Sequence, residues 1–275
     1  MPRNATTPEF DGQASEPLKA IGPGAGTTIP TIHLSLQGKG GVGKSLVASI
    51  LAQYFLHHGV EVHCLDTDPV NQTFSQYSAL GAEHLELMRD GKIDSRGFDA
   101  LMERLLTEDG IFIVDNGAST FIPLWSYIVE NNVLELLRAA GRKLCVHTVV
   151  TGGQALGDTL KGFKSLADSS AERNILVWLN EYFGLIERDG KTFTEMLAYK
   201  ESEPKVFGLV RIPKRNQDTF GRDIEDVIAR KLTFEEAIRN GTASVMSKQR
   251  LKVVQRDLFE QLDRLSLLRE KACSM

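Results

Sequence analysis

The amino-acid sequence predicts an α/β fold: a predominantly parallel, twisted sheet with helices on both of its faces. Three observations lead there. From Thr31 onward, short β-branched and apolar runs alternate with amphipathic stretches of helical length, the rhythm of successive βαβ units. Most of the runs are apolar throughout instead of alternating, as expected of central parallel strands covered on both sides. The first run passes through a glycine-rich loop directly into the first helical stretch, a junction suited to holding phosphates.

Strands are expected at Ile32–Leu36, Val60–Leu65, Ile111–Val114, Leu144–Val150, Ile175–Leu179 and Val206–Ile212. Helices fit between them at Lys44–His58, Arg96–Leu106, Pro123–Ala140, Gln154–Ser169 and Asp218–Arg230. His57 and His58 close the first helix ahead of Gly59, where imidazoles meet the negative helix end and glycine supplies the stop. His33, His63 and His147 fall inside strands and are read as satisfied core residues, not metal ligands. From Ser247 to about Lys271, Leu251, Val254, Leu258, Leu262 and Leu265 recur at three- and four-residue steps, marking a long amphipathic helix. Lys248, Arg250, Lys252 and Arg256 cluster at its start, but Asp257, Glu260 and Asp263 interleave further on, so packing is favoured over a membrane surface.

With 275 residues, 42% hydrophobic and 25% charged, one large domain with a sizeable core is expected over residues 30–271. Residues 1–29, rich in Pro, Gly, Ala and Thr and without periodicity, read as a flexible arm. They lack the apolar centre of a secretory signal, and no stretch approaches about 18 consecutive apolar residues, so a cytoplasmic protein is expected. The formal charge of −4 argues against a globally basic nucleic-acid coat and leaves only a local patch for such contacts. Cysteines at 64, 145 and 273, with no CxxC pair, exclude a disulfide scaffold and a four-cysteine cluster.

The chemistry concentrates in Gly38-Lys39-Gly40-Gly41-Val42-Gly43-Lys44-Ser45, which matches the P-loop pattern G-x-x-x-x-G-K-[ST] between an expected strand and an expected helix. Gly38, Gly40, Gly41, Val42, Gly43, Lys44, Ser45 and Leu46 form the candidate phosphate cradle. Glycines let the backbone approach the phosphates, and the helix start adds its positive end. Lys44 is suited to the β- and γ-phosphate oxygens, and the Ser45 hydroxyl to Mg²⁺, a hard ion that prefers oxygen. Ile111-Phe112-Ile113-Val114-Asp115 is an apolar strand ending in an acid, which places Asp115 in the Mg²⁺ shell.

Lys39 occupies a position where an ordinary P-loop needs no charge. KGGVGKS as a whole resembles the deviant Walker A family of partition, cell-division-site and nitrogenase iron-protein ATPases (ParA/MinD-like). The resemblance implies ATP with Mg²⁺ as cofactors, and an ATP-dependent homodimer in which Lys39 acts on the partner's nucleotide. A cation that meets the γ-phosphate only when two subunits close would couple hydrolysis to association. Asp66-Thr67-Asp68-Pro69 matches the family's DxDP switch, implying that Asp68 orients the attacking water and Asp66 supports Mg²⁺ through a water. Asn180, ending the VWLN strand, and Ile212-Pro213 resemble the family's adenine pocket, which favours ATP over GTP. Asn116-Gly117-Ala118-Ser119 departs from the proline-containing sequence that many partition ATPases carry after the acid.

Further segments, LDTDPVNQTFSQYSAL, IDSRGFDALME, IVDNGASTFIPL, HTVVTGGQALGDTLKGF and VWLNEY, are similar to the TraL family encoded with conjugal transfer genes, over roughly Thr31 to Leu265. That similarity implies a weakly hydrolysing ATPase switch serving bacterial DNA transfer through a protein partner in the conjugation machinery. A partition or positioning ATPase that binds DNA or membrane when ATP-loaded is the alternative, with Arg211, Lys214, Arg215 and Arg222 as its candidate patch. An ATP-dependent synthetase is disfavoured by Lys39, and an iron-protein role by the lack of cysteine near the second switch. Thr151-Gly152-Gly153-Gln154 lies at the sheet's ligand edge, either as turn and cap or as a contact for a partner or second subunit.

Overall fold

The computed structural model describes residues 31–265. The expected arm at 1–29 and the end of the last expected helix lie outside those residues. β1 (Thr31–Ser35) leads through the glycine-rich loop to α1 (Lys44–His57) and β2 (Val62–Asp66). β3 (Glu83–His84) is a short edge strand, and β4 (Met88–Arg89) with β5 (Lys92–Ile93) forms a small hairpin. Next come α2 (Ser95–Thr107), β6 (Ile111–Asp115), α3 (Phe121–Glu130), α4 (Val133–Ala139), β7 (Lys143–Thr151), α5 (Leu156–Ser169) and β8 (Ile175–Asn180). A second hairpin, β9 (Glu187–Arg188) and β10 (Lys191–Thr192), precedes α6 (Leu197–Ser202) and β11 (Val206–Ile212). The last described helices are α7 (Arg222–Ala229), α8 (Phe234–Arg239) and α9 (Val245–Arg264).

Seven strands make one sheet in the order β11-β8-β7-β1-β6-β2-β3, and every neighbouring pair is parallel. Strand alternation divides the core into two layers. Ile32 and Leu34 of β1, Phe112 and Val114 of β6, and Val177 of β8 pack with α2 to α5 on one face. Cys64, Ile113, Cys145, Val149 and Trp178 face α1, α7, α8 and α9 on the other. Both faces are covered, which is why the strands read as continuous apolar runs.

Two expected helices are divided. The stretch expected at Pro123–Ala140 breaks into α3 and α4 because Asn132 takes a left-handed conformation at φ 51°, and the Asn131 side chain bonds back to the Tyr127 carbonyl at 2.9 Å. Asparagine tolerates that region better than most residues. The stretch expected at Asp218–Arg230 opens with a wide π turn over Gln217–Gly221 before α7. α9 lays Leu251, Val254, Leu258, Phe259 and Leu262 into the layer shared with α1, so its apolar stripe is core. His57 and His58 lie at the end of α1, where the His57 ring meets Phe259 and His58 lies 3.4 Å from Asp263.

Leu262 is fully buried. Leu262→Ala should lower unfolding free energy by about 2–5 kcal/mol, read as a reduced urea midpoint; an unchanged midpoint would show that α9 does not belong to the core.

Candidate functional site

The loop between β1 and α1 is bent by two glycines, Gly41 at φ 74° and Gly43 at φ 105°, both in the region open to glycine. Asn180, at the end of β8, fixes the bend: its Nδ2 donates to the Val42 carbonyl at 2.9 Å, while its Oδ1 accepts from the Tyr182 amide at 3.1 Å. A Cβ at position 43 would sit 3.0 Å from that Nδ2, so backbone conformation and close approach both demand glycine there. The Val42 side chain is buried in the core beneath. Gly38 accommodates the Phe121 ring, whose Cδ1 would lie 3.0 Å from an added Cβ.

Lys44 is buried, and its Nζ donates to the Lys39 carbonyl at 3.2 Å. Desolvation lowers its pKa, while the charges of Asp115 and Asp68 oppose that shift. Asp115 ends β6, and its register partner across the neighbouring strand is Asp66 of β2. Burial pushes the Asp115 carboxyl up to about 7; a hydrogen bond with Ser45 and the Lys44 charge resist, and Asp66 and Asp68 add repulsion. Its Oδ1 has no hydrogen-bond partner. A buried, unpaired carboxylate oxygen beside a serine hydroxyl is a donor set that fits Mg²⁺, which favours oxygen and retains several waters.

Asp66 is fully buried and already tied to the loop that follows it: Oδ1 accepts from the Asp68 amide at 3.0 Å and Oδ2 from the Ser75 amide at 2.9 Å. Asp68 caps the next turn, its Oδ1 accepting from Val70 at 2.9 Å and Asn71 at 3.1 Å. Gly117 lets Asp68 come close, since an added Cβ would lie 2.7 Å from its Oδ1. Asn116, standing in the segment without proline, accepts from the hydroxyls of Thr67 at 3.2 Å and Thr120 at 2.7 Å. Side-chain hydrogen bonds thus brace the turn after Asp115.

A cavity of about 890 Å³ brings together Gly40, Gly41, Gly43, Lys44, Ser45 and Leu46 with Asp68, Asn180 and Pro213. Gly38 and Val42 shape the loop from outside the cavity wall, and Asp66 and Asp115 lie at the strand ends behind it. Lys39 points elsewhere. Its Nζ pairs with Asp158 in the first turn of α5 at 3.0 Å, with both side chains about half exposed. Tyr182, Phe183, Ile224 and Glu225 also line the cavity and were not anticipated. The two aromatics could have been suspected from their place just beyond the VWLN strand; the α7 residues carry no comparable signal.

Three other sequence features find their settings. At position 152 a Cβ would fall 2.3 Å from the Gly184 carbonyl oxygen, and at 153, where φ is 69°, 2.9 Å from that of Phe183. The glycine pair therefore permits backbone contact with the loop after β8. In the basic patch, Arg211 lies 3.2 Å from Glu181, and Arg215 lies 2.7 Å from Asp257 with its guanidinium over the Phe220 ring. Much of that positive charge is internally paired.

His33, Cys145 and His147 cluster in the core. Trp178 Nε1 can only donate, and it lies 3.0 Å from His147 Nδ1. His147 must then carry its proton on Nε2, which donates toward His33 Nδ1 at 2.9 Å and lies 3.2 Å from Cys145 Sγ. Burial pushes both imidazole pKa values down, and that of His33 falls to about 3. With the Trp178 bond in place, the neutral His147 ring has no lone pair on Nε2 for a metal, so the hydrogen bonds favour a core network. His63 bonds the Asp109 carbonyl at 3.0 Å and stacks on Phe112.

Residues 35–254 match the family described as the CobQ/CobB/MinD/ParA nucleotide binding domain. Two Escherichia coli proteins named Protein TraL are 47% and 46% identical to this chain over 238 residues, 86% of this chain and 99% of each of theirs. The chain belongs to the TraL family, within the CobQ/CobB/MinD/ParA nucleotide-binding domains. At the level of fold, the septum site-determining protein MinD complexed with Mg-ADP from Pyrococcus horikoshii OT3 is similar with a TM-score of 0.52 at 17% identity, covering 89% of this chain and 100% of that one. MinD of the Aquifex aeolicus MinC:MinD complex gives 0.50 at 14% identity, covering 84% and 96%. The TraL relatives span the described fold, and no described helix is long and apolar enough to cross a membrane.

The carboxyl of Asp115 provides a test of the metal assignment. Its folded pKa lies above the ordinary aspartate value, so this group's contribution to stability is greatest at low pH and declines as pH rises from about 4 to about 7. Asp115→Asn should therefore raise the metal-free unfolding free energy at pH 7.5 by roughly 1–3 kcal/mol while weakening Mg²⁺-dependent nucleotide binding. Thermal melts with and without Mg²⁺ read both effects; a variant that binds Mg²⁺-nucleotide like wild type would remove Asp115 from the metal shell.

Proposed function

We propose that this TraL-family chain is an ATP-binding, weakly hydrolysing dimerisation switch that assists conjugative DNA transfer. The observation that carries the reading is the division of labour between two lysines in one loop: Lys44 buried at the cavity and Lys39 turned outward onto Asp158. A cavity-facing cation serves the chain's own nucleotide. An exposed one, held by a solvent-screened ion pair, is available to a second subunit because such pairs separate at little cost.

In this reading the glycine backbone and Lys44 hold the phosphates, with Ser45 and Asp115 as protein ligands for Mg²⁺. Mg²⁺ would supply charge neutralisation of the phosphate oxygens. Asp66 supports the metal shell while fastening the loop that carries Asp68, and Asp68 positions the attacking water. Asn180 keeps the cradle open, and Pro213 lies at the base side of the cavity. The output is association: a homodimer forms with ATP, Lys39 of each subunit completes the other's site, and a protein of the conjugation machinery reads the closed state. The reading places the switch in the cytoplasm.

The two lysines make separable predictions. Lys44→Ala should weaken ATP binding at least tenfold, about the loss of one charge-assisted contact. Lys39→Ala should bind ATP like wild type and lose about a hundredfold or more of its hydrolysis. Calorimetric titration and phosphate release measure these; equal loss of binding in both variants would refute the assignment to a second subunit. Asp68→Ala should accumulate as an ATP-bound dimer in size-exclusion light scattering, and a species that stays monomeric with ATP would refute the switch.

A further inference from the structure

The cavity continues past Asn180 and Pro213 into a recess between the loop after β8 and α7. Tyr182, Phe183, Ile212, Ile224 and Ile228 line it, so its walls are largely apolar, as a flat aromatic ring requires. Among the described residues of the lining there are two acids. Asp68 belongs to the switch loop. The other, Glu225, stands in the first turn of α7 within the recess.

We infer that Glu225 reads the exocyclic amine of the nucleotide base and thereby sets the site's preference for adenine over guanine. This inference rests on the proposed placement of phosphates in the Gly40–Ser45 cradle. Glu225 Oε1 accepts two hydrogen bonds, from the Tyr182 hydroxyl and from Gln217 Nε2. The contact with Glu225 raises the Tyr182 pKa, which keeps that hydroxyl a donor. Gly221 makes room for the second bond: an added Cβ would lie 2.8 Å from Gln217 Cδ. The loop after β8 and the π turn before α7 thus pin one carboxylate oxygen from both sides. Oε2 takes no protein donor among the described residues and is left to accept from a ligand.

One available acceptor suits one donor group. Adenine offers a single amine at N6, flanked by ring acceptors. Guanine offers two adjacent donors, N1–H and the 2-amine, which call for both oxygens of a carboxylate, and its O6 would meet Glu225 as acceptor against acceptor. With Oε1 committed to Tyr182 and Gln217, the geometry satisfies the adenine edge and leaves a guanine donor unpaired.

The test is calorimetric titration of the full chain, in Mg²⁺, with ADP, GDP and purine riboside diphosphate, the ADP analogue lacking the 6-amine. Wild type should bind ADP about tenfold or more tightly than either competitor. Glu225→Ala should erase ADP's advantage over purine riboside diphosphate while leaving affinity for the analogue unchanged. A double variant, Tyr182→Phe with Gln217→Ala, frees Oε1 and should move the ADP-to-GDP ratio towards GDP. An ADP advantage that survives intact in Glu225→Ala overturns the inference and leaves the proposed function standing. So does equal loss of all three ligands in a Glu225→Ala protein that melts like wild type, because Glu225 would then be shaping the wall instead of reading the base. If wild type binds none of the three, the nucleotide reading falls, and this inference with it.

Discussion

The backbone bend at Gly43, held by the Asn180 amide on the Val42 carbonyl, is the constraint around which the rest of the molecule is arranged. It requires a strand ending in asparagine beside a loop from a different part of the chain. The sheet order supplies it: β1 sits centrally between β7 and β6, β8 follows β7, and their C-terminal ends open on one edge. A parallel sheet whose connections diverge from a central strand leaves a crevice at that edge. The cavity occupies it. Val42 beneath the loop and Phe121 beside Gly38 then fix the cradle against both helical layers.

Charge is placed under tension beside that bend. Two buried acids, Asp66 and Asp115, are register neighbours on adjacent strands, and Asp68 adds a third negative charge nearby. Asp66 disperses its charge into two main-chain amides, those of Asp68 and Ser75. Asp115 keeps one oxygen unpaired. Burial without pairing costs stability, and a divalent cation is the partner that recovers it. Because Asp66 grips residues 68 and 75 through its own oxygens, a change in charge at the metal position is felt directly by the loop bearing Asp68.

The parallel sheet, the cradle and the acids at the strand ends were legible because each depends on local pattern: apolar runs, glycine spacing, an acid closing a strand. What was missed depends on distance in the chain. β3 is two residues long, too short for periodicity, and its existence depends on pairing with β2. Asn132 breaks a helix that composition alone continues, since the break lies in one left-handed residue. Glu225 reaches the cavity only because a π turn reorients α7 and the loop after β8 meets it. Asp158 is 119 residues from Lys39, and only the fold brings them to 3.0 Å. The glycines at 152 and 153 were noticed, yet their reason, carbonyls of another loop, is tertiary.

The buried chain from Trp178 through His147 to His33 takes one ring from each of three neighbouring strands, β8, β7 and β1. A slip of one residue in any of these strands would turn its ring into the opposite layer and strand polar nitrogens in hydrocarbon. Apolar parallel strands have few other ways to reject misalignment, since one valine or isoleucine replaces another at modest cost. The polar rings therefore act as an alignment key, penalising mispaired sheets during folding and holding β8, with Asn180 at its tip, at the height the cradle requires.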